Sequence, residues 1–337
     1  RSVSSVMSSM PPPPPAFAAA GSGSARRAGA NPPDADLGVI KTNDEASGAK
    51  ACCVSRGYFD DPFVKHFARR IPKHPPLINR GYHARVATVR AVLDAFLDAT
   101  FDADRAECAA TSPGGEPVAG APVTVKNVTV KKRQIVSLGA GFDTSYFRLL
   151  AAGRAPGLFV EVDYGEVARK KAEIVRARRE RFFGDREDEM TNALVNLADG
   201  SYHGDGGGGD DDDASFRDVF GYRLLSADLR DVATLERKLL DLPGYDAEIP
   251  TLFLAECCLA YVEPEEAAAV IALAARLSSS APAAAFVLYD PIGPDDAFGV
   301  QMGLNLRARG CPLRGVAGAP TLEAQRERFQ ARGWARA

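Results

Sequence analysis

Gly139, Gly141, Asp163, Asp228 and Glu256 each stand at or just past the end of a short apolar run: Ile135-Val136-Ser137-Leu138, Phe159-Val160-Glu161-Val162, Leu225-Ser226-Ala227 and Leu252-Phe253-Leu254-Ala255. Two glycines so close together let a backbone turn sharply and approach a ligand. The carboxylate of Asp163, 24 positions after the first glycine, suits a ribose diol, near the roughly 20 positions typical of nucleotide-binding folds. Asp228 and Leu229 would cover a base, one by hydrogen bonding and the other by apolar contact. Together these residues describe a site for a nucleoside-bearing cofactor. A dinucleotide turn wants G-x-G-x-x-G, because a pyrophosphate needs backbone N–H groups at a helix N-terminus. Here position 144 is Thr, and Asp143 adds a negative charge to the turn. That charge opposes a pyrophosphate and suits the ammonium of S-adenosylmethionine, which carries no phosphate. A Rossmann oxidoreductase is the competing reading of the glycines alone.

For these residues to meet, the runs must be strands of one sheet. Each is apolar almost throughout, the pattern of parallel strands buried on both faces. In an open α/β sheet, ligands bind beyond the carboxyl ends of the strands, and that is where the glycines and acids fall. Helical patterns alternate with the strands. Residues 165–181 form one; Asp231 caps another that carries Val232, Leu235 and Leu239. A third has Pro264 in its first turn, Glu263, Glu265 and Glu266 at its positive end and Arg276 at its negative end. Residues 284–289 read as a fifth strand. The βαβα order predicts a doubly wound, mostly parallel sheet. Ahead of it, residues 61–99 read as helical, with Val86, Val89, Leu93, Phe96 and Leu97 on one face. Pro72, Pro75 and Pro76 divide that stretch into an earlier and a later helix.

Several segments resemble the leucine carboxyl methyltransferases: Asp61-Pro62-Phe63-Val64-Lys65-His66-Phe67, Ile78-Asn79-Arg80-Gly81-Tyr82-His83-Ala84-Arg85, Leu138-Gly139-Ala140-Gly141-Phe142-Asp143-Thr144, Glu161-Val162-Asp163, Ala227-Asp228-Leu229-Arg230-Asp231 and Ala255-Glu256-Cys257-Cys258-Leu259-Ala260-Tyr261. The resemblance runs, with interruptions, from about Lys50 to Trp334. It implies the class I S-adenosylmethionine-dependent methyltransferase fold. The implied reaction is methylation of the C-terminal leucine carboxylate of a type 2A protein phosphatase catalytic subunit, which would be the partner. Lys50, Arg85, Gly139, Asp163, Asp228, Leu229 and Glu256 are implied to bind the cofactor. Tyr261 is implied to help hold the substrate carboxylate. Methyltransferases of this type usually finish with an antiparallel strand pair after the equivalent of Trp334; this chain stops at Ala337, so that pair is expected to be missing.

A methyl acceptor of this kind needs no general base, since a terminal carboxylate with a reference pKa near 3.5 is already ionised at neutral pH. The chain has only 4 histidines and no evident nucleophile–base pair. Arg85 is the candidate to place the carboxylate, because a guanidinium matches a planar two-oxygen group; Tyr261 would be the neutral donor. Bland readings stand beside these. Arg80 or Arg85 could pair on a helix surface, Tyr261 could be a packing residue, and Asp143, Asp228 or Asp231 could be helix caps. His66 reads as structural. Alternative acceptors are a wybutosine-type carboxyl group in transfer RNA, or a small-molecule carboxyl or hydroxyl group. A non-catalytic binder of the phosphatase tail is the reading from a different class.

A net charge of −3 and a pI near 5.9 over 337 residues argue against a nonspecific nucleic-acid binder. No run approaches the roughly 18–20 apolar residues of a membrane span. The 6 cysteines include two adjacent pairs and no C-x-x-C, a poor spacing for zinc or disulfides; they read as reduced thiols, Cys257 and Cys258 as packing. No metal is expected, and the chain reads as a cytoplasmic monomer. Residues 1–49 form an expected disordered, low-complexity segment, with Pro11 to Pro15 consecutive. Residues 1–33 carry arginines and no acid, the bias of an organelle transit peptide, but the proline run would break the helix such a signal needs. The catalytic domain is placed at 50–337, with insertions at about 102–124 and 199–214. The second holds Gly206 to Gly209 and Asp210 to Asp213, a surface loop or, on a sharper reading, a calcium site without the usual ligand spacing.

Overall fold

The computed structural model describes residues 32–100, 133–184 and 221–335. Both expected insertions and Cys108 lie outside them. Five strands, β1 Gln134–Leu138, β2 Leu158–Asp163, β3 Tyr222–Ser226, β4 Thr251–Glu256 and β5 Ala284–Tyr289, form one sheet in the order β3-β2-β1-β4-β5. Every pairing is parallel, as the apolar runs predict. The order reverses at β1, so the crevice for a ligand opens between the carboxyl ends of β1 and β4.

Alternation along the strands divides the core. Ile135, Phe159 and Leu252 point to one face and pack with Val89, Phe147 and Phe182 from the helices α2 Pro76–Asp98, α3 Ser145–Ala151 and α5 Arg179–Phe183; α4 Gly165–Arg176 lies on the same face. Val136, Val160 and Phe253 point to the other and meet Leu235, Ile271 and Phe329 from α6 Val232–Leu240, α7 Pro264–Leu277 and α9 Leu322–Gln330. The expected caps are present. Asp231 accepts the amide of Thr234 at 3.1 Å, and Glu263 and Glu266 form a reciprocal capping box around Pro264. All five predicted core residues of α2 are buried. Wholly buried Arg133, just before β1, donates to the carbonyl of Phe96 at 2.7 Å and to those of Leu97 and Ala99. It thereby satisfies the last turn of α2.

Four expectations need correction. The stretch from 61 to 75 holds only a short 3₁₀ turn at Val64–His66, which Asp61 opens by accepting the amides of Phe63 and Val64 at 2.9 and 3.1 Å. Residues 165–181 are not one helix but α4 and α5, parted at Ala177 and Arg178. The segment expected to be disordered to residue 49 is helical from Pro32: α1 runs Pro32–Ser55, while residues 1–31 lie outside the described part. Its stability comes from contacts that composition hides. A Cβ on Gly38 would meet the carbonyl oxygen of Gly310 at 2.2 Å, Lys170 reaches Asp44 at 2.8 Å, and Ala49, Cys52 and Cys53 are buried. Finally, α8 Ala297–Ala308 and α9 follow β5 where no helix was foreseen. Among the described residues no helix is long and apolar enough to cross a membrane.

Candidate active site

The turn after β1 is where the sheet's geometry becomes chemistry. The amide of Ala140 reaches the carbonyl of Val162 at 3.1 Å, and that of Gly141 reaches the Asp163 carboxylate at 2.7 Å. Both glycines are left-handed, with φ of 61° at Gly139 and 54° at Gly141. Their missing side chains make room for the protein itself, not directly for a ligand. A Cβ on Gly139 would lie 2.4 Å from that of Cys258, and one on Gly141 would lie 2.2 Å from Oδ1 of Asn43. Gly139→Ala is therefore expected to cost about 3 kcal/mol, combining left-handed strain and overpacking, read as a lowered denaturation midpoint at unchanged m-value.

Two adjoining cavities flank this turn. The first has Asp163 at one side and Leu229, Val262 and Val39 among its apolar walls. The second is polar, with Lys50, Arg85 and Arg309 against Glu45, Asp143 and Glu256. Thr42, Asn43, Gly139, Cys257 and Tyr261 border both. A third, wider cleft opens outward from Arg85, Tyr261 and Cys257 and is walled by Ile78, Ile292, Phe298 and Met302. Cys257 has φ of 54°, the one non-glycine with positive φ among the described residues. Such strain is held where the surroundings over-determine it, here at the junction of all three cavities.

The polar cavity is an ion-pair cluster. Lys50 Nζ lies 3.2 Å from Glu256 and 3.4 Å from Asp143, and Arg85 Nε donates to Glu256 Oε1. Burial alone would neutralise these groups. Lys50 and Arg85 nonetheless hold Glu256 below the usual carboxylate range, and Lys50, Lys171 and the Ser145 amide hold Asp143 well below it. Burial pushes Lys50 down, but Glu256 and Asp143 raise it further. In Asp163 burial wins, against the amides of Gly141 and Tyr164, and the carboxyl is pushed up to about 6. Burial likewise raises the Tyr261 phenol, and lifts the Cys257 thiol to about 11, so both stay neutral at pH 7.

Of the residues chosen from the sequence, Lys50, Arg85, Gly139, Asp163, Leu229, Glu256 and Tyr261 all border this connected space. Asp228 does not. Arg230 Nε donates to its two carboxylate oxygens at 2.9 and 3.0 Å, and Arg230 Nη2 donates to Asp36 of α1 at 2.8 Å. Arg230, not Asp228, thus forms the wall beside the base pocket. Cys258 donates its thiol to the carbonyl of Leu138 at 3.1 Å and borders the first cavity only, whereas Cys257 lines all three. His66 stacks edge-on against Phe182 at 5.5 Å, away from the site. Sequence reasoning missed the α1 contributors Asp36, Thr42 and Asn43. The one local signal for that helix is Pro32-Pro33 at its first turn.

The donor set fits a zwitterionic nucleoside. A carboxylate faces an apolar pocket, and next to it lie cations for an amino acid's carboxylate and acids for its ammonium. A parallel α/β sheet with this crevice at its switch point is the class of nucleoside-cofactor-binding folds. The family model for leucine carboxyl methyltransferase matches residues 122–275. The "Leucine carboxyl methyltransferase 1 homolog" of Arabidopsis thaliana is 36% identical over 89% of this chain and 75% of its own length. The "tRNA wybutosine-synthesizing protein 4" of Homo sapiens is 37% identical over 92% of this chain, which spans 37% of that protein. A solved structure titled "PigF with SAH" aligns at 14% identity and TM-score 0.36, over 62% of this chain and 46% of that one. The chain belongs to the leucine carboxyl methyltransferase family. It is a methyltransferase, and S-adenosylmethionine is its methyl donor.

Proposed function

We propose that this enzyme methylates the C-terminal leucine α-carboxylate of a type 2A protein phosphatase catalytic subunit. The observation that carries the reading is the position of Arg85 and Tyr261, where the polar cofactor cavity meets the wide apolar-walled cleft. A carboxylate with a bulky aliphatic neighbour finds there a fixed cation, a neutral phenol and, in Ile292, Phe298 and Met302, an apolar wall.

Asp163 would take the ribose hydroxyls, Leu229 and Val262 the base, Lys50 and Arg85 the cofactor's carboxylate, and Asp143 and Glu256 its ammonium. When bound, the cofactor supplies a methyl group on a sulfonium, open to in-line displacement by a carboxylate oxygen. The protein's part is to orient that oxygen and exclude water. It need not remove a proton, because the acceptor is already ionised. Glu256 keeps Arg85 in place without taking up its whole charge, since Lys50 shares the same carboxylate.

The test is transfer of labelled methyl from the cofactor to a phosphatase catalytic subunit, with and without its last leucine. Incorporation is expected only into the intact tail. The 37% identity to a wybutosine-synthesizing relative favours a second reading, methylation of a carboxyl group on transfer RNA. Label entering transfer RNA and not the phosphatase would establish that reading instead.

A further inference from the structure

Beneath the cofactor turn lies a lysine with no exposure at all. Lys171 of α4 sends Nζ to within 2.5 Å of Glu161 Oε2 in the middle of β2, and donates to the carbonyl oxygen of Asp143 at 2.6 Å. The Phe67 ring centre is 5.7 Å away. Glu161 also accepts the Tyr222 hydroxyl at 2.7 Å, and its Oε1 has no partner. A buried ion pair of this kind is seldom the most stable solution, because packed apolar residues of like volume do as well or better. Stability alone leaves Lys171 unexplained.

What an apolar pair could not do is aim a charged N–H at Asp143. That residue ends the turn which carries Gly139 and Gly141. Its carboxylate takes the Ser145 amide at 2.9 Å and lies 3.4 Å from Lys50. Its amide closes the turn on the Ala140 carbonyl at 3.0 Å. Ala140 and Gly141 tie the start of the turn to Val162 and Asp163 of β2; at its far end, of the contacts of Asp143 just named, the carbonyl bond alone reaches down to α4 and, through Glu161, to β2. We propose that Lys171 is a positioning residue for the cofactor: it braces the Asp143 carbonyl against β2, and so holds the turn in the shape that receives the amino-acid end of S-adenosylmethionine. The inference rests on the cofactor-site reading above.

The test compares K171M/E161Q with E161Q alone. Removing both charges spares the fold an unpaired buried carboxylate, and the comparison isolates the brace. The double variant is expected to bind S-adenosylhomocysteine about tenfold more weakly than E161Q by calorimetry, the loss of a hydrogen bond from a charged donor. Its ligand-free Tm should stay within about 3 °C. The KM for cofactor should rise by the same factor, with kcat at saturation changed less than about threefold. Should the methionine variant not fold, K171Q/E161Q replaces it, with the same weakening expected. Equal affinity, or affinity lost only together with the fold, overturns the proposal. D163A measured alongside separates the two ideas. If D163A also binds as E161Q does, the site is wrongly placed; if D163A alone weakens binding, only the brace fails.

Discussion

Arg85→Ala is expected to lower kcat/KM for methyl transfer by about 10³-fold while leaving the chain folded. Truncating one member of a buried, hydrogen-bonded charge pair costs roughly 2–5 kcal/mol, and every 1.4 kcal/mol is a factor of ten. Here the lost guanidinium serves Glu256, the acceptor carboxylate and, with Lys50, the cofactor's own carboxylate. Glu256 keeps Lys50 at 3.2 Å, so it is not left as a lone buried charge, and Tm should fall by only a few degrees. Arg85→Lys would restore a charge without the planar fork and should recover part of the rate. Steady-state kinetics with intact phosphatase, read beside a melting curve, decides the matter. Turnover within threefold of the parent would remove Arg85 from the acceptor site.

Asp163→Ala is expected to weaken S-adenosylhomocysteine binding about 100-fold in calorimetry. The change removes an acceptor for the ribose and also leaves two buried amides, those of Gly141 and Tyr164, without the partner they hold at 2.7 and 2.8 Å. Each such loss costs roughly 1–3 kcal/mol. A pH signature accompanies it. Burial raises the Asp163 carboxyl from 3.8 to about 6, so the folded state binds a proton that the unfolded chain has released. Its contribution favours the fold below about pH 4 and is lost as pH rises through about 6. Hydroxyl groups are best accepted by the ionised form, so cofactor affinity should drop as pH falls below about 6. Glu161, pushed up to about 7 by burial, titrates in parent and variant alike. The difference between their two profiles therefore isolates Asp163, and a flat difference would contradict its assignment.

Much of the catalytic core was legible because its signals are local. A parallel strand buried on both faces writes itself as an apolar run, and its carboxyl end is marked by the residue at which apolarity stops. Leu138, Val162 and Ala255 fall at matching heights across the sheet, which brings Gly139, Asp163 and Glu256 to one edge. Caps such as Asp231 and the Glu263–Glu266 box were readable for the same reason, since partners three residues apart meet in any helix. The stretch after Asp61 misled because Phe63, Val64 and Phe67 are buried from a single 3₁₀ turn and its flanks, an apolar spacing that also fits a helix.

The residues alone decided which atoms gather at the sheet's carboxyl edge and which chemistry they suit, because strand pairing converts spacing along the chain into proximity. Only the folded arrangement decided how those atoms are shared: that Arg230 holds Asp228 together with Asp36, that Lys50 and Arg85 divide Glu256, that Asn43 and Cys258 fill the space beside the glycines. These outcomes depend on helices distant in sequence closing over the turn. α1, whose composition suggests no core, is placed by contacts with Gly310, Lys170 and Arg230, and packing energy of that kind has no imprint in any single window of the chain.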